Sequence, residues 1–228
     1  MSNKYYEAYD DRYKVVHTQT GNAWAGKTPS IILKDILTKY GATFESSILE
    51  IGCGEGQNAL YLQQEGFNVF ASDVSPVAIN WCKKKALEHN TNADNYFVLD
   101  VLDNSHTAKY DFIYTVSTLH MLVLQEDRKA FLDFIYTHLK DNGKAIITIM
   151  GDGKMEKKDS DITKAFDLST RTMENGETIQ VANTTCKIVN WQDFFTELNI
   201  SRLNILEHFT TNQISGFNIS MVAIVERK

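Results

Sequence analysis

Three glycines at alternate positions, Gly52, Gly54 and Gly56, stand between an apolar run, Ile48 to Ile51, and a helical pattern carrying Ala59, Leu60 and Leu62. That order reads as strand, glycine loop, helix, with a helix stop at Gly66. A second β-rich run, Val69 to Ser72, ends in Asp73, about twenty positions after Gly52, where a βαβ unit places an acid within reach of a ribose. The unit should therefore bind a ligand carrying a nucleoside. A dinucleotide site wants G-x-G-x-x-G, but Gln57 stands where the third dinucleotide glycine would be. Glu50 precedes the loop and Glu55 lies inside it, and carboxylates at close range disfavour a pyrophosphate and favour a cation. The chemistry to expect is recognition of a nucleoside joined to a positive charge.

The segments LEIGCGEGQNALYL and VFASDVSPVAI together resemble the cofactor site of the class I S-adenosylmethionine-dependent methyltransferases. Loop, spacing and second-strand acid agree, where a lone glycine triplet would be weak evidence. The resemblance implies S-adenosyl-L-methionine as cofactor, with Glu50, Gly52, Cys53, Gly54, Gly56, Asn58 and Val74 lining its site and Asp73 on the ribose hydroxyls. It further implies that Asp100 accepts a hydrogen bond from the adenine amino group while the backbone of Val101 faces the ring, with Val116 at the end of the next strand. Asp100 has a plainer reading as a strand-end acid that caps a turn.

Composition bounds the rest. The chain has 228 residues, 43% hydrophobic, and a net charge of −6. Without a Pro/Gly/Ser-rich linker or repeat, one domain over residues 1–228 is expected. The start, MSNKYYEAYDDRYK, has no signal-peptide layout and no run is long enough to span a bilayer, so the expectation is a cytoplasmic protein without a membrane partner. Cys53, Cys82 and Cys186 are widely spaced and fit reduced thiols. Lys83 to Lys85 form a basic run too short to track a phosphate backbone, which argues against nucleic acid. Either a monomer or a homodimer is compatible with the sequence.

Elements position these residues. Tyr5, Tyr9 and Tyr13 at four-residue spacing, with Tyr6 and Val16, describe an N-terminal helix whose stripe either packs on the body or forms a lid. Trp24 follows in a polar stretch, GNAWAGKTPS, whose W-x-G-x-x-P pattern is similar to that of small-molecule methyltransferases of the thiopurine and tellurite-resistance type. On the lid reading, residues 1–29 cover the site, Tyr13 and Trp24 touch the cofactor, and Trp24 also meets substrate. A helix from Ser30 to Tyr40 carries Ile31, Ile32, Ile36 and Leu37, and a helix after Asp73 has Ser75 as N-cap and Pro76 in its first turn. Strands follow at Tyr96 to Leu99, Tyr110 to Val116 and Lys144 to Met150, with a helix from Glu126 to Leu139. The Asn175-Gly176 pair in the looser segment 154–189 signals a hairpin insertion above the crevice. A helix at Trp191 to Leu198 and strands at Ser201 to His208 and Phe217 to Val225 complete an α/β, doubly wound sheet. The family resemblance implies seven strands, mostly parallel and Rossmann-like, with the last one antiparallel between the fifth and sixth.

The transfer site should lie at the carboxyl ends of the central strands. His120, near neutral in pKa, is the candidate general base and a substrate contact; its alternative is a ring that only shapes the pocket. Asp152 is a substrate-side candidate or a turn aspartate. The Asp/Asn-Pro-Pro-aromatic and Pro-Cys motifs of nucleic-acid enzymes of this fold are absent, as is any cluster of metal ligands. A small-molecule acceptor at N, O or S is the leading expectation. A protein that binds S-adenosylmethionine or S-adenosylhomocysteine without turnover is the alternative, and a nicotinamide-dependent oxidoreductase is disfavoured by the glycine spacing.

Overall fold

In the computed structural model, residues 4–19, 28–103, 106–154, 159–172 and 176–228 are described. A 3-10 turn, Tyr5–Glu7, runs into α1 (Ala8–Gln19), and α2 (Ile32–Lys39) leads to the first βαβ unit. That unit is β1 (Ile48–Ile51), α3 (Gln57–Gln64) and β2 (Val69–Asp73), followed by α4 (Pro76–Glu88), β3 (Tyr96–Val98) and β4 (Tyr110–Val116). Then come α5 (Gln125–His138), β5 (Leu139–Met150), β6 (Leu168–Thr172), β7 (Thr178–Ala182), α6 (Trp191–Ile200), β8 (Leu203–Thr211) and β9 (Ser220–Arg227).

Seven strands form one sheet in the order β3-β2-β1-β4-β5-β9-β8. The first five are parallel, and β9 runs antiparallel to both β5 and β8, which is the mixed sheet expected. Every residue of β1 is buried, so both faces of the sheet must be covered. Ile48, Val69, Ala71 and Tyr114 pack with α2, α3 and α4 on one face. Leu49, Ile51, Ile113 and Ile147 pack with α5 and α6 on the other.

Local signals fixed most element ends. Gly66 takes φ +93° behind α3, and the Ser75 hydroxyl accepts the Ala78 N–H at 3.0 Å to start α4. Helix α2 departs from its expected face, because Leu33, Ile36 and Leu37 are its buried positions. Ile31 lies before the helix and is 62% exposed. The Asp141-Asn142-Gly143 turn interrupts β5: Leu139 pairs with Tyr110, and the ladder resumes at Lys144 opposite Phe112. Asn142 there adopts φ +65°.

The aromatic stripe of α1 is buried at Tyr5, Tyr6, Tyr9, Tyr13 and Val16. Its anchors are spread over the molecule. The Tyr5 hydroxyl accepts the Val123 N–H at 2.9 Å, the Tyr9 hydroxyl donates to the Thr185 carbonyl at 3.1 Å, and Arg12 donates to the Ala182 carbonyl at 2.7 Å. Asp10 accepts from the Ser75 hydroxyl at 2.6 Å. Strands β6 and β7 pair antiparallel, and Ile179 and Val181 of β7 bury against Tyr9, Tyr13 and Val16. Residues Glu174 and Asn175 of the expected turn lie outside the described residues, as does Trp24. Among the described residues no helix is long and apolar enough to cross a membrane.

Candidate active site

A cavity of about 290 Å³ opens over the carboxyl ends of β1, β2 and β4. Its floor is the glycine loop. Gly52 has φ +69° and a Cβ there would come within 2.3 Å of Thr118 Oγ1, while Gly54, at φ +55°, lies so close to Tyr13 that a Cβ would be 2.8 Å from its hydroxyl oxygen. No other residue type fits these two positions without displacement. Gly56 does not line the cavity. It precedes α3 at φ +76°, and a Cβ on it would strike Cys82 Sγ at 2.8 Å. It packs the helix start closely against α4, off the cavity lining.

Asp73, 8% exposed at the tip of β2, is fixed from both sides. One carboxylate oxygen accepts the Gly54 N–H at 2.9 Å and the other the Ser75 N–H at 2.9 Å. Burial raises its pKa, with those two N–H groups acting in the opposite direction. Glu50 is 1% exposed and accepts from the Tyr114 hydroxyl at 3.0 Å and from the Asn58 amide at 3.3 Å. Burial pushes its carboxyl up to about 8 despite both bonds, so it holds a proton at neutral pH unless a cation arrives. The Asn58 carbonyl oxygen meanwhile accepts the Ser30 N–H at 2.8 Å, which ties the glycine unit to the segment before α2.

Asp100 lies past β3. Its Oδ1 accepts the Leu102 N–H at 2.9 Å, and its Oδ2 receives Lys4 Nζ at 2.7 Å and the Tyr6 hydroxyl at 2.9 Å. Cys53, Val74, Val101, Val116 and Tyr13 also line the cavity. Four carboxylates, Glu50, Glu55, Asp73 and Asp100, face it, and among the described residues no Lys, Arg or His does. Such a site is built for positive charge.

Two sequence candidates besides Gly56 do not reach the cavity. His120 is 3% exposed and accepts the Met150 N–H through Nδ1 at 3.3 Å, with its ring edge-on to Phe217. Burial, with a smaller effect of Arg128, lowers its pKa to about 3. It shapes the wall from behind and is not placed as a base. Asp152 accepts the Lys154 N–H at 2.9 Å in a turn and is absent from the lining. Tyr6 and Tyr9 of the N-terminal stripe and Ser117 and Met121 after β4 line the cavity too, and so does Phe217, which the sequence reading did not place there. The tyrosine spacing was the available signal for the first two; Phe217 arrives only through the return of β9. No group of metal-ligating side chains occurs among the described residues.

A family model described as a methyltransferase domain matches residues 27–190. A ubiquinone biosynthesis O-methyltransferase of Rickettsia felis is 28% identical over 117 residues, covering 51% of this chain and 46% of the relative. A cypemycin N-terminal methyltransferase of a Streptomyces species is 27% identical over 117 residues, covering 50% and 46%. The chain thus spans about half the length of the curated relatives it matches. A solved S-adenosylmethionine-dependent methyltransferase from Clostridium acetobutylicum shares the fold, with TM-score 0.69, 16% identity and coverage of 96% of this chain and 98% of that one.

Proposed function

Because this chain belongs to the methyltransferase-domain family that matches most of its length, we propose that it transfers a methyl group from S-adenosylmethionine to an N, O or S atom of a small molecule. One observation carries the reading: a left-handed glycine floor lies beneath two buried carboxyls, Glu50 and Asp73, which fits a ligand that joins a ribose to positive charge. Asp73, at the end of β2, is the ribose acceptor; each of its oxygens keeps a lone pair beyond the backbone N–H it already holds. Glu50, protonated when alone, pairs with an ammonium, and Asp100 with the Val101 backbone meets the adenine. Bound there, the cofactor supplies a sulfonium-activated methyl group. The chain's part is to align an acceptor with it and to exclude water, and the buried tyrosines of α1 serve the second purpose.

Residues 4–19 act as a strap over this site within a single domain, and β7 packs on that strap through Ile179 and Val181. Calorimetry tests the reading: S-adenosylhomocysteine should bind and NAD should bind at least tenfold more weakly, corresponding to about 1.4 kcal/mol. Tighter binding of NAD would end it. Release of S-adenosylhomocysteine in a metabolite screen then separates an enzyme from a protein that only holds the cofactor.

A further inference from the structure

Ser30 stands where three parts of the molecule meet. It is 1% exposed, and each of its polar groups is committed to a different partner. Its N–H donates to Asn58 Oδ1 in α3 at 2.8 Å, and its carbonyl accepts the Leu33 N–H at 3.0 Å at the start of α2. Its hydroxyl oxygen accepts the Ser215 N–H at 3.0 Å. Ser215 belongs to the connection between β8 and β9, which brings Phe217 to the cavity. On its other side Asn58 donates from Nδ2 to Glu50 Oε1 at 3.3 Å. The amide cannot be turned over, because its NH2 would then face the Ser30 N–H. A continuous line of hydrogen bonds therefore runs from Glu50 through Asn58 and Ser30 to Ser215.

The line has one loose link and one loose end. At 3.3 Å the Asn58 to Glu50 bond is longer than a charge-assisted bond, which closes to about 2.7–2.9 Å. Burial keeps the Glu50 carboxyl protonated at neutral pH, and an ammonium beside it ionises it. An ionised Glu50 draws the Asn58 N–H closer, whereas a neutral ligand group does not, so the two states of the line differ in energy only toward a cation. The loose end is the stretch 215–217. Beyond the buried Ile214 it is weakly held among the described residues: Gly216 takes φ +89°, the Phe217 N–H reaches the Ile214 carbonyl at 3.4 Å, and the Phe217 ring stands edge-on to His120.

We propose that Ser30 is a positioning residue that relays occupation of the Glu50 side of the cavity to the stretch 215–217, tightening the wall that carries Phe217 when a cationic ligand is bound; this rests on the methyltransferase reading. Glu50 and Asn58 respond to the ligand's ammonium, and Ser30 fixes the Ser215 N–H in turn. Ser30 itself stays behind the wall.

The test follows hydrogen exchange of the 215–217 amides in the full chain, alone and saturated with either S-adenosylhomocysteine or methylthioadenosine, which keeps the nucleoside and lacks the ammonium. S-adenosylhomocysteine should slow these amides at least about fivefold, the scale of one hydrogen bond, and methylthioadenosine should leave them unchanged. Ser30→Ala keeps the N–H to Asn58 and removes only Oγ. It should bind S-adenosylhomocysteine within about threefold of the parent yet show less than about twofold slowing, and Ser30→Thr, which keeps an oxygen, should recover the response. A merely structural Ser30 would speed exchange equally with and without ligand, so the ratio would survive Ser30→Ala. That outcome, slowing by methylthioadenosine equal to that by S-adenosylhomocysteine, or parent amides indifferent to bound S-adenosylhomocysteine overturns the inference. The two ligands compared on the parent decide it even where Ser30→Ala does not fold. Failure of S-adenosylhomocysteine itself to bind the parent is a separate outcome, which overturns the methyltransferase reading and this proposal with it.

Discussion

Glu50 and Asp73 are both buried carboxyls at the head of the glycine loop, yet their partners differ. Glu50 accepts from the side chains of Tyr114 and Asn58, with the Ala59 backbone N–H acting in the same direction, whereas Asp73 accepts from the backbone N–H groups of Gly54 and Ser75. With the Glu50 pKa at about 8, an ammonium-bearing ligand that needs the ionised form must displace a proton at pH 7. Affinity should then rise from pH 6 to pH 8, by up to about tenfold per unit. The binding enthalpy at pH 7 should vary with the ionisation enthalpy of the buffer, and Glu50→Gln should abolish that variation; a buffer-independent enthalpy in the parent protein would refute the pairing. Linkage to folding has a fixed sign. A raised folded pKa means that Glu50 contributes stability fully below its unfolded value and loses it as pH climbs through about 8, so Glu50→Gln should flatten the fall of Tm on the alkaline side. Asp73→Ala removes the ribose acceptor and also frees the Gly54 and Ser75 N–H groups. The expected cost is about 2–4 kcal/mol of S-adenosylhomocysteine affinity together with a lowered Tm, and unchanged affinity in the folded variant would remove Asp73 from the site.

At the scale of elements, the wall of the cavity after β4 is held by a residue outside the cavity lining. Arg128 of α5 is fully buried. It reaches Glu197 of α6 with Nε at 2.8 Å and Nη2 at 2.6 Å, and it donates from Nη1 to the Leu119 and Leu122 carbonyls at 2.7 and 3.2 Å. The segment carrying Met121 and Leu122 is thereby pinned to two helices. Arg128→Met leaves the half-buried Glu197 carboxylate and the Leu119 and Leu122 carbonyls without their donor and should cost about 3 kcal/mol in urea unfolding, with part of that restored by adding Glu197→Leu; a loss below about 1 kcal/mol would mean the pair is solvated. The same wall contains His120, whose pKa is depressed to about 3 by burial. Its stabilising contribution is present above the unfolded value near 6.5 and is lost as pH falls toward 3, at up to about 1.4 kcal/mol per unit. His120→Asn, which keeps an acceptor for the Met150 N–H, should therefore be less acid-labile between pH 6 and pH 4 in a Tm series.

Across the whole molecule, residues 4–12, the 3-10 turn with the start of α1, join parts that the chain keeps far apart: the β3 end through Lys4 and Tyr6, the turn after β4 through Tyr5, the start of α4 through Asp10, and β7 through Arg12. A strap so anchored over Asp100 and Asp73 should tighten when the site fills. Hydrogen exchange of the α1 amides should slow on adding S-adenosylhomocysteine, and exchange indifferent to it would leave α1 as a packing helix only. The sequence by itself determined the βαβ unit, the glycine floor, Asp73 and the succession of strands along the chain, because each rests on local rules: glycine at positive φ, caps such as Ser75 and Gly66, and apolar runs that must be covered on both faces. It also marked the tyrosine stripe, though periodicity alone does not separate packing from lining, and in the fold the stripe does both. Tertiary structure alone decided that His120 faces the Met150 N–H, that Asp152 closes a turn, and that Gly56 packs on Cys82. It alone brought Phe217 and Ser117 to one wall and joined Arg128 to Glu197. The physical reason is that a side chain's partners, and with them its burial and its pKa, are set by elements distant in the chain, and no spacing within one segment encodes which way a side chain turns once those elements arrive.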